Sequence, residues 1–276
     1  MSRSYFPTEY WSGVAARYGR SDDGALAPIL HPDAPIWFNL TVDRLQKKLW
    51  QRALRACALP ANAKILDIGC GTGRWIRRYS EAGFNPVGID ATQHMLQRAN
   101  EIGTHSPLIV APAQNLPFKD RTFDLISSVT VVQHVIPADQ PKILREMARV
   151  LRPGGHLLLL ELISGAGPHI FPRSPTDWRK LAEDAGLKLE TFRGQEFLLP
   201  DRIFTGGIQF VRRVLTGATP SVLPAQSRSV SRPSLRRRIY WSARHLTCKL
   251  SEWVEPAAEA VCPNNWATHG LFLFRK

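Results

Sequence analysis

From Lys64 to Phe192, short apolar runs alternate with stretches of helical spacing, and that alternation leaves few architectures open. "KILDIG" (64–69), "PVGID" (86–90), "PLIVA" (107–111), "FDLISSV" (123–129), "HLLLLELI" (156–163) and "LKLETF" (187–192) read as strands. "GRWIRRYSEAG", "ATQHMLQRANEIG", "PADQPKILREMARVL" and "SPTDWRKLAEDAG" read as helices between them. Gly83 and Gly103 stand where a left-handed residue ends a helix. Ser174 is placed as an N-cap, with Pro175 at the first helical position and Asp177 as the capping-box acid. "RPGG" reads as the turn into 156–163, a run apolar on both faces, as a central parallel strand must be. With "HGLFLFRK" as a last strand, the pattern predicts an α/β, Rossmann-like, doubly wound, mostly parallel seven-stranded sheet. Right-handed crossovers then put a ligand along the C-terminal edge of the strands.

Around this core the chain divides into four parts. Residues 1–60 read as an N-terminal helical lid: an aromatic, irregular start, then an amphipathic helix over 39–58 with Val42, Leu45, Leu49 and Ala53 on one face, ended by Pro60. Residues 61–192 form the core, 193–265 a basic cap inserted before the last strand, and 266–276 that strand. The Ser/Pro/Arg-rich stretch 220–238 reads as an exposed loop, and "LRRRIYWSARHLTCKLSEWV" as a basic amphipathic helix.

Net charge is +13. Between Arg202 and Ser251 there are ten Lys or Arg residues and no acid. The excess fits a solvated basic surface, a phosphate track for RNA over 202–249, or a membrane surface carrying an anionic or lipid-linked acceptor. No apolar run approaches the roughly 20 residues that cross a bilayer. The start, "MSRSYFPTEYW", has no apolar signal core, and Cys57, Cys70, Cys248 and Cys262 lack metal-ligand spacing. The expectation is a cytoplasmic protein without a metal, either free or peripheral at a membrane surface.

The stretch "ILDIGCGTGRW" places glycines at 69, 71 and 73 directly after the first strand. A dinucleotide fingerprint needs its third glycine at position 74, which is Arg74, and the G-x-x-x-x-G-K-S/T phosphate loop is absent. Asp67, two residues before the first glycine, is a poor neighbour for a pyrophosphate and a good one for cationic groups. S-adenosylmethionine carries an ammonium and a sulfonium and no phosphate. Glycines let the backbone approach such a ligand, and the following helix N-terminus favours its carboxylate. Asp90, ending the second strand, suits the two hydroxyls of an adenosine ribose.

"LDIGCGTGRW", "VGIDAT", "NLPFKDRTFDLISS" and "LRPGGHLLLLE", in this order and spacing, resemble class I S-adenosylmethionine-dependent methyltransferases, in the branch that includes quinone methylases and natural-product enzymes. The resemblance spans about residues 61–192 and the last strand. It implies a methyl transfer that leaves S-adenosyl-L-homocysteine. Carried over by position, Gly69, Cys70, Gly71 and Gly73 line the methionine portion with Asp67 tuning their loop. Asp90 and Ala91 hold the ribose, Thr92, Gln93 and Met95 edge the adenine, and Ala113, Gln114, Asn115 and Thr130 complete the site. Where the family usually has an acid for the adenine amino group, this chain has Pro112, so a backbone carbonyl or Gln114 takes that place. Tyr18 is the aromatic residue expected to close over the cofactor, with Tyr10 and Trp11 behind it.

The methyl acceptor is expected past the fourth strand. The D/N-P-P-Y/F/W sequence of amino-group methylation is absent there, and Gln133–His134 follows instead. His134 is the candidate base or acceptor anchor, because imidazole titrates near neutrality. Glu161 and His169 are further catalytic-site candidates, as supporting or acceptor-binding groups, with a solvated loop histidine the alternative for His169, and Trp37, Phe38 and Asn39 an aromatic wall or simply core. The reading is O-methylation of a small molecule's hydroxyl (natural product, sugar or lipid-linked intermediate) by in-line displacement. RNA methylation, and N- or C-methylation of a quinone-like compound, are the alternatives.

Overall fold

A computed structural model describes residues 7–18, 26, 30, 34–165, 167, 169–216 and 235–276, the side chains of 17–18, 208–216 and 235–238 excepted. Its centre is one seven-stranded sheet in the order β3-β2-β1-β4-β5-β7-β6. The strands are β1 (Lys64–Ile68), β2 (Asn85–Asp90), β3 (Leu108–Val110), β4 (Phe123–Val129), β5 (Leu151–Leu162), β6 (Lys188–Gln195) and β7 (His269–Arg275). All neighbours pair parallel except β7, which runs antiparallel between β5 and β6. The chain therefore carries the expected α/β, mostly parallel, doubly wound sheet.

Alternation along each strand sorts the two faces. Leu66 and Ile68 of β1 enter a core with Ile126, Leu157, Leu159 and helices α5 (Gln140–Val150) and α6 (Pro175–Glu183). Ile65 points the other way, with Leu125, Leu158 and Leu160, against α2 (Ile36–Ala56) and α3 (Arg74–Glu81). Ser174 caps α6 as expected, its Oγ accepting the Asp177 N–H at 3.2 Å.

Three expectations need correction. The helix expected from 39 begins at Ile36, behind Pro35. It is no lid: Leu49, Trp50 and Ala53 are buried against Ile65, Trp75 and Leu125, so α2 is a covering layer of the sheet. Among the described residues of this segment, α1 (Pro7–Tyr18) is the helix that lies over the strand ends, with Val14 and Ala15 packed on Met95 of α4 (Gln93–Glu101). "RPGG" is not a turn between helix and strand. β5 already pairs at Phe123↔Leu151, and the ladder shifts register before Leu125↔His156. Gly154 (φ +76°) absorbs that irregularity, and a Cβ at Gly155 would meet the Asp124 carbonyl at 2.9 Å.

The insertion before β7 forms two helices, α7 (Leu199–Thr216) and α8 (Leu235–Val261). The expected loop over 220–238 lies outside the described residues as far as 234, and 235–238 are helical. α8 is bound to α2 by ion pairs, Arg44–Glu252 and Arg52–Glu259, and to the start of α7 by Arg244–Asp201. Glu255 accepts the N–H groups of Phe197 and Leu198 at 2.8 and 3.1 Å. Phe38 is buried beneath the Arg244 guanidinium, Trp37 stacks on His245, and Asn39 is buried beside them. These residues belong to the seam between α2 and α8.

Candidate active site

The ends of β1, β2 and β4 meet at one edge of the sheet. After β1 the chain turns through Gly69 (φ +66°), Gly71 (φ +52°) and Gly73 (φ +74°), a left-handed region that side chains disfavour. The first and last also permit close packing. A Cβ at Gly69 would collide with the Val131 side chain, and one at Gly73 with Thr104. The glycine loop is thus fitted against the segment that follows β4.

A cavity of about 260 Å³ opens at this edge. Of the residues predicted for a cofactor, Gly69, Gly71, Asp90, Ala91, Thr92, Met95, Ala113, Gln114 and Thr130 border it, as does Pro112. Asp67 and Cys70 border a smaller void of about 20 Å³, which they share with Gly69, Arg74 and Trp75. Gly73, Gln93 and Asn115 border neither, so Gly73 serves the backbone turn and its contact with Thr104. Tyr18's side chain lies outside the described residues. Trp11, with Pro7 and Thr8, is the part of α1 that closes the cavity. Sequence reasoning missed Ile68, Ile89, Ala111, Val129, Val131 and Val135, which form the apolar wall. Their signal was available, since each lies at or just beyond a strand's C-terminal end.

The acids at this edge are held differently. The Asp90 carboxylate accepts the Thr92 N–H at 2.8 Å on one oxygen and the Gly71 N–H at 3.0 Å on the other. Burial raises its pKa. Asp67 is fully buried, and parallel register sets it beside Ser127, whose Oγ donates to Oδ1 at 2.5 Å. Its Oδ2 is buried with no hydrogen-bond partner among the described residues. Burial pushes the Asp67 carboxyl up to about 7, against the lowering effect of Ser127 and of nearby Arg74. Thr130 lies in the left-handed region (φ +56°), unusual for a β-branched residue, with its N–H donating to the Leu160 carbonyl at 2.7 Å. Such local strain is characteristic of functional sites.

Only one of the four predicted catalytic side chains reaches the cavity. His134 borders it, edge-on to Trp11 at 5.0 Å between centroids. Its Nδ1 lies 2.9 Å from the His169 carbonyl oxygen. A carbonyl only accepts, so Nδ1 carries the proton and Nε2 presents a lone pair, 3.3 Å from the Gln133 amide nitrogen. Burial, with smaller contributions from neighbouring histidines, pushes the imidazole down to about 4, so it is neutral at physiological pH.

The other three candidates support this loop and do not border the cavity. Glu161 is completely buried and accepts the N–H groups of Val131, Val132 and Gln133 at 3.2, 2.9 and 3.1 Å. Burial pushes its carboxyl up to about 7 despite those bonds. Gln133 is buried, with Oε1 accepting the Leu162 N–H at 2.6 Å. His169 stacks on His134 at 5.4 Å and lies 4.3 Å from Tyr10. Gln140, which the pattern did not single out, ties the same loop through the carbonyls of Val132, Val135 and Phe171. None of the described side chains of 193–265 borders the cavity: α8 packs along α2 and β6 and against α7, and the side chains of 208–238 lie outside those described.

A sheet of this order with a glycine loop after β1 and an acid ending β2 defines a Rossmann-like domain built for a nucleoside-containing ligand. Residues 66–159 match the family model described as a methyltransferase domain, so this part of the chain is similar to the class I S-adenosylmethionine-dependent methyltransferases. The chain is 33% identical over 144 residues to the malonyl-[acyl-carrier protein] O-methyltransferase of Erwinia pyrifoliae, covering 52% of each chain. It is 37% identical over 123 residues to the ubiquinone/menaquinone biosynthesis C-methyltransferase UbiE of Campylobacter jejuni, covering 42% of this chain and 51% of that one. The matches thus span about half the length of these two relatives. In fold, it superposes on a Galdieria sulphuraria protein assigned as a sarcosine dimethylglycine methyltransferase with a TM-score of 0.57. That superposition covers 98% of both chains at 17% identity. The cofactor of this class is S-adenosyl-L-methionine. The residues present fit it: Asp90 ends β2 at the cavity with lone pairs beyond the two N–H groups it accepts, and the apolar wall suits an adenine.

Proposed function

We propose that the chain moves the methyl group of S-adenosylmethionine onto a hydroxyl of a small, largely apolar acceptor. The observation that carries this reading is a single cavity running from Gly69, Gly71 and Asp90 to the ring of His134, under Trp11. When bound, S-adenosylmethionine supplies an electrophilic methyl on a sulfonium. Asp90 keeps lone pairs for the ribose hydroxyls beyond the two N–H groups it already accepts. Ala113 and Gln114 face the adenine, with the Gln114 amide in place of the acid that Pro112 displaces. Asp67 balances the cationic end of the cofactor. Ile68, Ile89, Met95, Val131 and Val135 keep water out.

His134 orients the acceptor hydroxyl through Nε2, whose lone pair exchanges the Gln133 amide for that hydroxyl. With its conjugate acid at about 4, the ring does not ionise an alcohol at rest. An oxygen that is gaining a methyl group becomes a strong acid, so Nε2 takes its proton late. Alignment supplies most of the rate enhancement, and proton transfer adds roughly 10²–10⁴-fold. His134→Ala is therefore expected to lower turnover by about 10²-fold or more with cofactor affinity by calorimetry unchanged. Unchanged turnover rejects the assignment. Turnover on amines but on no hydroxylated compound rejects oxygen as the methylated atom. A quinone-type carbon acceptor is the competing reading, supported by the similarity to UbiE. RNA is not favoured, because the described side chains of 202–249 stand away from the cavity.

A further inference from the structure

One helix of the insertion has two faces of opposite character. On its inner side, Arg244, Cys248, Glu252 and Glu255 are engaged by α2 and α7 or their flanks. On its outer side Ile239, Leu246, Leu250, Trp253 and Val261 are 60, 71, 49, 80 and 79% exposed. Their spacing of seven, four, three and eight residues puts them on one stripe, about 33 Å long at 1.5 Å per residue. Between Ile239 and Val261 the only exposed charged residue is Lys249, and there is no exposed acid. A helix face exposed to water alone ordinarily carries charges of both signs. Large contiguous apolar patches mark interaction sites.

We infer that the outer face of α8 seats this protein on an anionic lipid bilayer. Charge complementarity selects that occupant. The segment from Arg202 to Ser251, which contains most of the helix, holds ten basic residues and no acid. The acids farther along, Glu252, Glu255 and Glu259, are turned toward α2 and the β6 edge, where they are paired. An apolar stripe with exposed Lys249 beside it, three arginines in sequence at the start of the helix (236–238) and its acids withdrawn is the composition of a helix lying in the headgroup plane. Among the described residues no helix is long and apolar enough to cross a membrane, so the contact is interfacial. The inference is independent of which atom is methylated.

The test is flotation of the full chain with vesicles of phosphatidylcholine alone and of phosphatidylcholine with phosphatidylglycerol, at low and high salt. Leu246→Glu and Trp253→Glu are compared with the native chain. Both side chains are exposed and distant from the cavity residues, so thermal midpoint and cofactor affinity serve as folding controls. The expected result is salt-sensitive flotation with the anionic vesicles only, reduced about tenfold by either substitution. No flotation at low salt overturns the inference, as does flotation that both variants retain. Concentration-dependent dimers that the variants abolish, without flotation, assign the stripe to a second copy of the chain instead. Binding of bulk tRNA in place of vesicles, retained in both variants, assigns the basic segment to nucleic acid.

Discussion

Two regions of this molecule bury carboxylates, and they treat them in opposite ways. In the layer where α2 packs on α3, Asp43 meets Arg74 at 2.9 Å and Arg78 at 2.6 Å. The two guanidinium groups hold the Asp43 carboxyl below its ordinary range against the opposing effect of burial. Behind the cavity wall, Asp67 and Glu161 accept no arginine hydrogen bond, and burial pushes both up to about 7. A buried charge with a partner is part of the scaffold. Asp67 keeps an oxygen with no hydrogen-bond partner among the described residues, whereas both Glu161 oxygens accept backbone N–H groups. Burial alone would not have separated them.

The contrast can be broken most forcefully at Asp43. Asp43→Ala leaves Arg74 buried beside Arg78 without its counter-ion, and should cost roughly 3–5 kcal/mol in urea unfolding. Cofactor affinity measured on the folded fraction should hardly change; a large loss there would place α2 in the site. Glu161 comes next. Its carboxyl is higher in the folded chain than the ordinary value of 4.5, so the folded state binds the proton more tightly than the unfolded one. Wild-type protein should then lose stability as pH rises from about 4.5 to about 7, on the order of 3 kcal/mol from this group. Glu161→Gln should lack that part of the slope, seen as the difference between the two proteins' unfolding midpoints at pH 5 and pH 8. Equal slopes would mean the acid is ionised throughout.

A smaller effect is expected at Asp90. Asp90→Asn puts an amide against the Gly71 N–H and should weaken S-adenosylmethionine binding about 10–100-fold by calorimetry. The smallest belongs to the rim of the seam. Arg52 is 54% exposed where it meets Glu259, so Arg52→Ala should cost no more than about 1 kcal/mol, and less in high salt. A larger cost would make α8 a structural strut beyond its buried contacts.

Much of this site was legible before any coordinates. Gly69 and Gly71, Asp90 at a strand end, Ala113–Gln114 and His134 all reach one cavity, because each requirement is local: a backbone torsion, a strand terminus, a side chain just past it. The strand and helix cores were legible for the same reason, since periods of 2 and 3.6 repeat within a few residues. Whether Glu161 supports the site or binds the acceptor was open, because nothing in "LLLLELI" reveals that three N–H groups thirty residues earlier would close on it. The sequence put Tyr18 first as the closing aromatic with Trp11 behind it; Trp11 borders the cavity once α1 docks on α4, and the Tyr18 side chain lies outside those described. The placement of α2 rested on Asp43 finding Arg74, thirty-one positions away, and that of the insertion on acids of α8 finding arginines two hundred positions earlier. By itself, then, the sequence determined the sheet, the cofactor class and most side chains at the strand ends. Only the tertiary structure decided which acids are paired, which helix covers the cavity and which face of α8 stays exposed, because pairing and burial depend on distant parts of the chain closing together.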